Sequence, residues 1–445
     1  TLALREAAAV TPTPQTTSTE PGNATTPAVI NLVGATALGV GGMMGAGLYS
    51  LLGLAGQHAG NQIPLAFLLG AAAAAFSIYS YAKLGAAYPG KGGPANFTVA
   101  GFGPGWLSGT LNVFQYLAYL VAAALYAAAF AEYANALADQ TFPIWAMRVC
   151  GVAVVIVFSL VSLLGTRTVG RAESLAMGFT IFALLAFSVA GAPEATASHI
   201  TTPGGDWQGI VVAAGILYVN YQGFGVVTNA SGAMKNPGFE LPRAMFLALG
   251  IVTALYVIVS LVTVGIWPTS IIEKDRGHVL ASIAKATWGM PGLVLISLSA
   301  LLATAAAVNA TIFAASRIAC DTAKQHTLPD RLTGTTRGIP NALAFSALLV
   351  AFMVVALPLS VVGQMASLAF LLVYSLVTLG HWRIAHKTGA RRGLLAMAIG
   401  INLVLFTLLF RSALHQSPIS AYALIGLLLC SGLIAAFRRR DAAGA

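Results

Sequence analysis

The sequence predicts an all-α polytopic membrane protein with twelve transmembrane helices. Of its 445 residues, 58% are hydrophobic and only 8% are charged, a proportion of charge that is foreign to soluble globular domains. Apolar runs follow one another along the chain, most of them close to the roughly 20 residues that one helical crossing of a bilayer needs. They occupy residues 29–57, 63–87, 105–131, 143–164, 170–191, 208–233, 244–267, 291–316, 340–358, 361–382, 394–411 and 418–437.

The first run is interrupted by glycine. Five glycines stand within the nine positions from Gly39 to Gly47, and each costs about 1 kcal/mol of helix propensity relative to alanine. Bare backbone at membrane depth is tolerated where it lines a protein-enclosed cavity. A packing seam of small residues for a neighbouring helix is the alternative interpretation. The pattern therefore predicts either a discontinuous helix or a close helix contact.

The sixth run carries a second interruption. Asn220, Gln222, Gly223 and Gly225 break an otherwise apolar span about 15 residues from its start, and the first break falls about 16 residues into its own run. Matching breaks five helices apart are typical of inverted-repeat transporters. The sequence therefore predicts a 5+5 inverted repeat with discontinuous helices 1 and 6. Its parts are repeat one (29–191), repeat two (207–387) and the appended helices 11 and 12 (394–437).

The distribution of positive charge predicts the orientation. If the N-terminus is cytoplasmic, the inner loops and helix ends carry 18 Lys and Arg residues and the outer ones carry five. We therefore expect a transmembrane domain over 29–438 in the cytoplasmic membrane with both termini inside. Residues 1–28 are rich in Thr, Pro and Ala and are predicted to be a disordered cytoplasmic tail. Residues 439–445 are predicted to be a short cytoplasmic tail.

Other functional classes find little support in the sequence. It contains no nucleophile–base pair, metal-binding cluster or phosphate-binding motif, so we expect no enzyme, metal or cofactor. A channel would need a continuous polar pore or rings of charge, whereas the polar residues here cluster in the two breaks. The net charge of +10 follows membrane topology and does not indicate a nucleic-acid partner. A lipid bilayer is the expected environment.

A few polar residues inside the runs are functional candidates. Glu173 is an intramembrane carboxylate and hence a candidate by default, although an acid in the first turn of a helix also favours the helix dipole and could pair with Arg171. Thr304 and Thr311 share a face of run eight, where such hydroxyls commonly bond to their own helix. Tyr119 could line a site from run three.

Four motifs in sequence order resemble those of the amino acid–polyamine–organocation (APC) transporters. They match the family's first helix, its second loop, its sixth helix with the loop that follows, and the end of its eighth helix. The resemblance covers residues 29–390. The motifs are Gly39–Tyr49, Tyr81–Pro94, Tyr221–Gly225 with Lys235–Ala244, and Ser316-Arg317 with Asp321 and Leu328-Pro329.

The resemblance implies amino acid transport by alternating access. The substrate carboxylate would bind the amides of Gly45, Ala46 and Gly47, and its ammonium would meet carbonyls around residues 219–222. Helix N-termini favour anions and free C-terminal carbonyls favour cations, in agreement with this arrangement. The other residues of the expected substrate site are Met43, Met44, Tyr119, Val219, Asn220, Tyr221, Gln222, Gly223 and Thr311.

Two departures from the family pattern bear on mechanism. Many proton-coupled relatives carry a lysine in helix five where this chain has Thr180, and some carry an acid in helix six where it has Gly225. The coupling candidates are Glu173, Thr180 and Thr304, and proton coupling or exchange is favoured over sodium. A neutral zwitterionic amino acid is the expected substrate. The alternative is a transporter or exchanger of cationic amino acids, polyamines or other amines, and a channel or membrane enzyme is more remote.

Overall fold

The computed structural model describes residues 30–45, 47–89, 93–164, 166–201, 205–267, 277–336 and 338–444, and these are mostly helical. The predicted N-terminal tail (1–28) and Ala46 lie outside the described residues. In the first part of the chain the helices are α1 (Leu32–Met43), α2 (Gly47–Ala59), α3 (Ile63–Ala87), α4 (Gly93–Phe102), α5 (Trp106–Leu137), α6 (Ile144–Val161), α7 (Thr166–Gly191) and α8 (Ala197–Thr201).

The second part continues in the same way and contains one short β-hairpin, in which β1 (Thr335–Thr336) pairs antiparallel with β2 (Ile339–Pro340). Helix α18 continues through most of the segment predicted to be a C-terminal tail. The helices are α9 (Trp207–Leu217), α10 (Phe224–Asn229), α11 (Pro237–Ile266), α12 (Val279–Trp288), α13 (Met290–Lys324), α14 (Asn341–Ala356), α15 (Leu359–Arg383), α16 (Ala385–Thr388), α17 (Arg392–Gln416) and α18 (Pro418–Gly444).

Within the described residues, ten helical segments are long and apolar enough to cross a membrane, and α1 and α14 are shorter apolar helices. The longest segment, Gly47–Ala87, comprises α2 and α3 joined by a 3₁₀ turn at Gly60–Gln62. Gly60 adopts a φ of 55° there, in the left-handed region that suits glycine. The expected fold class, an all-α polytopic membrane protein, is confirmed.

The helices form a buried centre and a lipid-facing periphery. Helix α5, the α9–α10 segment and α15 each bury 89% of their most apolar window, whereas α6 buries 22% and α17 and α18 bury 28%. Large apolar side chains on α7, such as Leu175, Phe182 and Val189, are exposed on the outside of the bundle. A large exposed apolar surface of this kind is typical of a protein that contacts membrane lipid.

Local sequence explains where the two interrupted helices begin, and both helices are short. The side chain of Asn31 accepts a hydrogen bond from the Gly34 amide, and that of Asp206 accepts one from the Gly209 amide, so each helix has an N-cap. Helix α1 has 12 residues and α9 has 11. At 1.5 Å per residue each is roughly 17 Å long, about half of the bilayer core. Each helix is therefore too short to cross a bilayer by itself.

The position of Glu173 differs from the expectation. Helix α7 begins at Thr166, upstream of the apolar run, so Glu173 lies about two turns into the helix and the first turn contains no acid. The helix-dipole interpretation of Glu173 is therefore wrong. The helix extends beyond its apolar run because polar residues outside the bilayer core can remain helical. The Arg171 side chain lies outside the described residues.

Candidate functional site

The first break follows directly from the glycine cluster. Helix α1 ends at Met43, the Met44 amide makes the last helical hydrogen bond to the Val40 carbonyl, and α2 begins at Gly47. Between them Gly45 packs so closely that a Cβ atom there would lie 3.1 Å from the Tyr126 ring. The chain is therefore irregular at the predicted position, and its backbone is enclosed by α5.

The second break has a different local form. Helix α9 ends at Leu217, a 3₁₀ turn covers Tyr218–Tyr221, and α10 begins at Phe224. The Tyr374 hydroxyl donates to the Gln222 carbonyl at 3.0 Å. At the end of α1, the Tyr256 hydroxyl donates in the same way to the Met43 carbonyl at 2.8 Å. Two buried tyrosines thus donate to backbone carbonyls at the ends of the interrupted segments, and the Gln222 carbonyl also accepts from the Gly225 amide.

The two breaks touch each other through their backbones. A Cβ atom on Gly223 would overlap the Gly42 carbonyl and the Met43 amide nitrogen, and one on Gly42 would lie 2.8 Å from the Gly223 carbonyl oxygen. Glycines earlier in the cluster pack against side chains, since a Cβ on Gly39 would lie 2.7 Å from that of Ala248. The cluster therefore provides both the expected break and the alternative packing seam.

Asn220 lies at the junction of the breaks. Its side chain packs directly against Gly47, where a Cβ atom would overlap the amide oxygen. The residue is 3% exposed, and among the described residues neither its Nδ2 nor its Oδ1 has a hydrogen-bond partner. Nearby, Gln222 donates from Nε2 to the Tyr126 hydroxyl at 3.0 Å, while its Oε1 also lacks a partner. Buried polar atoms are normally paired, so these three atoms mark a place where a ligand could bind.

The remaining predicted site residues are not all equally close to the breaks. The Tyr119 hydroxyl lies 2.9 Å from the position of a Cβ on Gly225, so this tyrosine reaches the second break. The Tyr221 hydroxyl instead donates to the Phe67 carbonyl in α3 at 3.0 Å. Met43, Met44, Val219 and Thr311 are buried.

The two threonines that the sequence offers as coupling candidates donate to their own helices. The Thr304 hydroxyl donates to the Ala300 carbonyl at 2.7 Å, and the Thr180 hydroxyl donates to the Ala176 carbonyl at 2.8 Å. This is the commoner role that the sequence also allowed for Thr304.

A cavity of about 390 Å³ lies beside the first break, between α1, α7, α10 and α13. Among the described residues that line it, Glu173 alone is acidic. Its Oε1 accepts a hydrogen bond from Asn309 Nδ2 at 2.7 Å, and Asn309 Oδ1 accepts one from the Ser162 hydroxyl. The lining includes Gly41, Gly42, Met44, Thr180, Val226, Ala303 and Ala310.

Polar contacts also join α12 to the end of α5. Lys285 Nζ lies 2.6 Å from Asp139 Oδ1, and both residues are exposed. The hydrogen bond from Lys285 and its charge lower the pKa of the Asp139 carboxyl. Exposed ion pairs of this kind contribute little to stability. Nearby, His278 Nδ1 lies 3.9 Å from Glu132 Oε2.

Comparison with known sequences matches these features to a family. The sequence pattern of the amino acid permease family matches residues 30–431, a range that contains both breaks and the cavity. The chain belongs to the amino acid permease family. Its resemblance to APC transporters is thereby confirmed, and it is a member of a family of membrane transporters.

Relatives of this chain include proteins from bacteria and plants. The inner membrane transport protein YbaT of Escherichia coli is 30% identical over 95% of this chain and 99% of its own length. The branched-chain amino acid permease BcaP of Lactococcus lactis is 24% identical over 79% of the chain and 81% of its own. The vacuolar cationic amino acid transporter 4 of Arabidopsis thaliana is 27% identical over 67% of the chain and 53% of its own.

Proposed function

We propose that this permease is a secondary active transporter that moves amino acids across the cytoplasmic membrane by alternating access. The observation that carries the proposal is the backbone contact between two interrupted helices at Gly42 and Gly223. Close to this contact, the N-terminal residue of α2, Gly47, packs against Asn220 of the second break. Together the two breaks offer an anion site and a cation site made largely of backbone.

The twelve crossings and the inverted repeat are part of this proposal. The turn at Gly60–Gln62 divides the Gly47–Ala87 segment into two, and α1 with α2 then makes one interrupted crossing. Helices α9 and α10 make the corresponding interrupted crossing of the second repeat, and both termini are cytoplasmic. The crossings are α1–α2, α3, α5, α6, α7, α9–α10, α11, α13, α14, α15, α17 and α18.

The substrate head group is proposed to lie between the breaks. Its carboxylate binds the amides of residues 45–47, and its ammonium binds the second break around residues 219–222. Tyr119 and Thr311 contribute to the surrounding wall with Met43, Met44, Tyr221 and Gly223. Of these residues, Tyr221 has the least support as part of the wall, because its hydroxyl already donates to the Phe67 carbonyl.

A neutral side chain suits this site better than a cationic one. An additional buried positive charge without a partner costs several kcal/mol, so a site for it normally supplies a carboxylate or an aromatic face. Instead of a carboxylate, the group that lies beside Gly225 is the Tyr119 hydroxyl. The aromatic ring of Tyr119 already packs edge-on against Phe370, with ring centroids 5.3 Å apart. The relatives' names include both branched-chain and cationic amino acids and do not distinguish the two substrate classes, whereas the residues of this chain favour a neutral side chain.

Transport in proteoliposomes tests the function and the substrate class. We expect saturable uptake with counterflow, which a channel or an enzyme does not give. Alanine, serine, leucine or phenylalanine should compete better than arginine, lysine or putrescine. Stronger competition by the cationic compounds would contradict the neutral assignment, and uptake without counterflow would contradict the transporter assignment.

Glu173 is the proposed proton-coupling residue, because it is the acid that lines the cavity beside the first break. Replacing it with glutamine removes the titratable carboxyl and preserves the size of the side chain that contacts Asn309. We therefore expect Glu173→Gln to flatten the pH dependence of uptake. Glu132→Gln is a matched control at the outer end of α5 and should keep the pH dependence of the wild type.

Two outcomes would contradict this assignment. An unchanged pH profile in Glu173→Gln removes Glu173 from coupling and leaves exchange as the proposed mode. Uptake that requires a sodium gradient excludes both proton coupling and simple exchange as the driving force. Thr304 would then be the candidate for binding sodium, although its hydroxyl donates a hydrogen bond to the Ala300 carbonyl.

A further inference from the structure

We propose that the side-chain amide of Asn220 binds both charged ends of the amino acid head group and determines that the permease selects zwitterions. This inference rests on the proposed function and adds to it. The family resemblance implies that the substrate ammonium binds backbone carbonyls of the second break. The present proposal adds one side chain that binds both the ammonium and the carboxylate of the substrate.

The first support is the position of Asn220. The residue belongs to the 3₁₀ turn of the second break, and its amide packs against Gly47, the first residue of α2, with Oδ1 nearer than Nδ2 to the Gly47 Cβ position. Rotation of the amide plane exchanges these two atoms, so Nδ2 can face the start of α2 when a carboxylate binds there. It therefore extends from the proposed ammonium site to the proposed carboxylate site. A side chain at position 47 would occupy the same space, so a glycine there is a condition for this contact.

The second support is the unused hydrogen-bonding capacity of the amide. Asn220 is 3% exposed, and among the described residues neither Nδ2 nor Oδ1 is paired. An asparagine amide offers donors at Nδ2 and lone pairs at Oδ1. A zwitterionic head group offers the complementary set, since the carboxylate accepts hydrogen bonds and the ammonium donates them.

The third support is that neighbouring polar groups are already bound. The carbonyls of Met43 and Gln222 accept from the hydroxyls of Tyr256 and Tyr374, and Gln222 Nε2 donates to Tyr126. Gln222 Oε1 has no partner among the residues that the structure describes, and it would accept from the ammonium together with Asn220 Oδ1. Asn220 remains the side chain that can also donate to the carboxylate.

Replacement of Asn220 by aspartate separates its interaction with the substrate ammonium from its interaction with the substrate carboxylate. A carboxylate accepts hydrogen bonds but cannot donate when ionised, so it attracts the ammonium and repels the substrate carboxylate. We expect Asn220→Asp to bind amino acids about tenfold or more weakly, since hydrogen bonds to charged groups are among the stronger ones. Amino acid methyl esters keep the ammonium and lose the carboxylate charge, and they should bind the variant better than they bind the wild type.

The experiment measures dissociation constants of purified protein for alanine, leucine, phenylalanine and arginine and for their methyl esters. The readout is the ratio of amino acid to ester affinity, which a general loss of stability does not shift. Asn220→Ala should weaken both series, and Asn220→Ser, which keeps a donor and an acceptor, should recover part of the affinity for amino acids. Asn402→Ala is the matched control, because Asn402 is a buried amide that donates to Ser77 in α3.

The outcomes separate this inference from the proposed function. If the wild type binds none of the amino acids, the proposed function fails and this inference fails with it. If the wild type binds them but Asn220→Asp keeps the wild-type ratio, or Asn220→Ala keeps the wild-type affinity, only the inference is overturned. An equal shift of the ratio in Asn402→Ala would also overturn it, because the effect would then not be local to the breaks.

Discussion

Replacing Gly47 with valine should abolish amino acid binding in a protein that still folds. The group that a Cβ atom would overlap at this position is the end of the Asn220 side chain, which can rotate away. The valine would then fill the start of α2, where the substrate carboxylate is proposed to bind. Loss of two hydrogen bonds to a charged group, at about 1.5–3 kcal/mol each, lowers affinity by roughly a hundredfold or more.

Binding assays and size-exclusion chromatography together test this result. The variant should elute as a monodisperse protein and show no thermal shift with any amino acid that stabilises the wild type. Gly250→Val is the matched control, because beyond its own stretch of α11 no atom of the described residues lies within 4 Å of a Cβ at that exposed position. If Gly47→Val binds substrate normally, the carboxylate assignment is wrong.

Replacing Gly223 with alanine should instead destabilise the fold. Here a Cβ atom would overlap the backbone of Gly42 and Met43, which cannot rotate away as a side chain can. Helix α1 would have to move away from the second break. The hydrogen bond from the Tyr256 hydroxyl to the Met43 carbonyl would then be disrupted. Overpacking of this kind costs about 3 kcal/mol or more when backbone must move.

Thermal unfolding in detergent measures this effect. We expect a lower midpoint and a reduced yield of monodisperse protein for Gly223→Ala. Gly400→Ala is the control, since a Cβ on this exposed glycine of α17 meets nothing within 4 Å. A wild-type midpoint for Gly223→Ala would contradict the close backbone contact between Gly42 and Gly223.

The contrast between these two glycines could not be read from the sequence. Both stand in a break, and both carry the same propensity penalty for a helix. Their expected phenotypes differ because Gly47 faces a movable side chain and Gly223 faces backbone. That difference depends on which atoms of two helices, far apart in the sequence, come into contact.

Glu173 illustrates the same limit. Its position in an apolar run correctly indicated an intramembrane acid, but the run began later than the helix, so the dipole interpretation was wrong. The hydrogen bond from Asn309 joins α7 to α13 across more than a hundred residues. Sequence spacing predicts side-chain contacts within one helix, but it does not specify contacts with residues on another helix.

The sequence by itself determined the membrane class, the position of both interruptions and the family, because apolar runs and helix-breaking glycines act locally along the chain. Only the tertiary structure decided how the interruptions are used. It placed Tyr256 and Tyr374 on their carbonyls, joined the breaks at Gly42 and Gly223, and set the unpaired Asn220 amide against Gly47. The physical reason is that hydrogen-bond partners and steric contacts at a buried site arise from packing between helices, which local propensity does not specify.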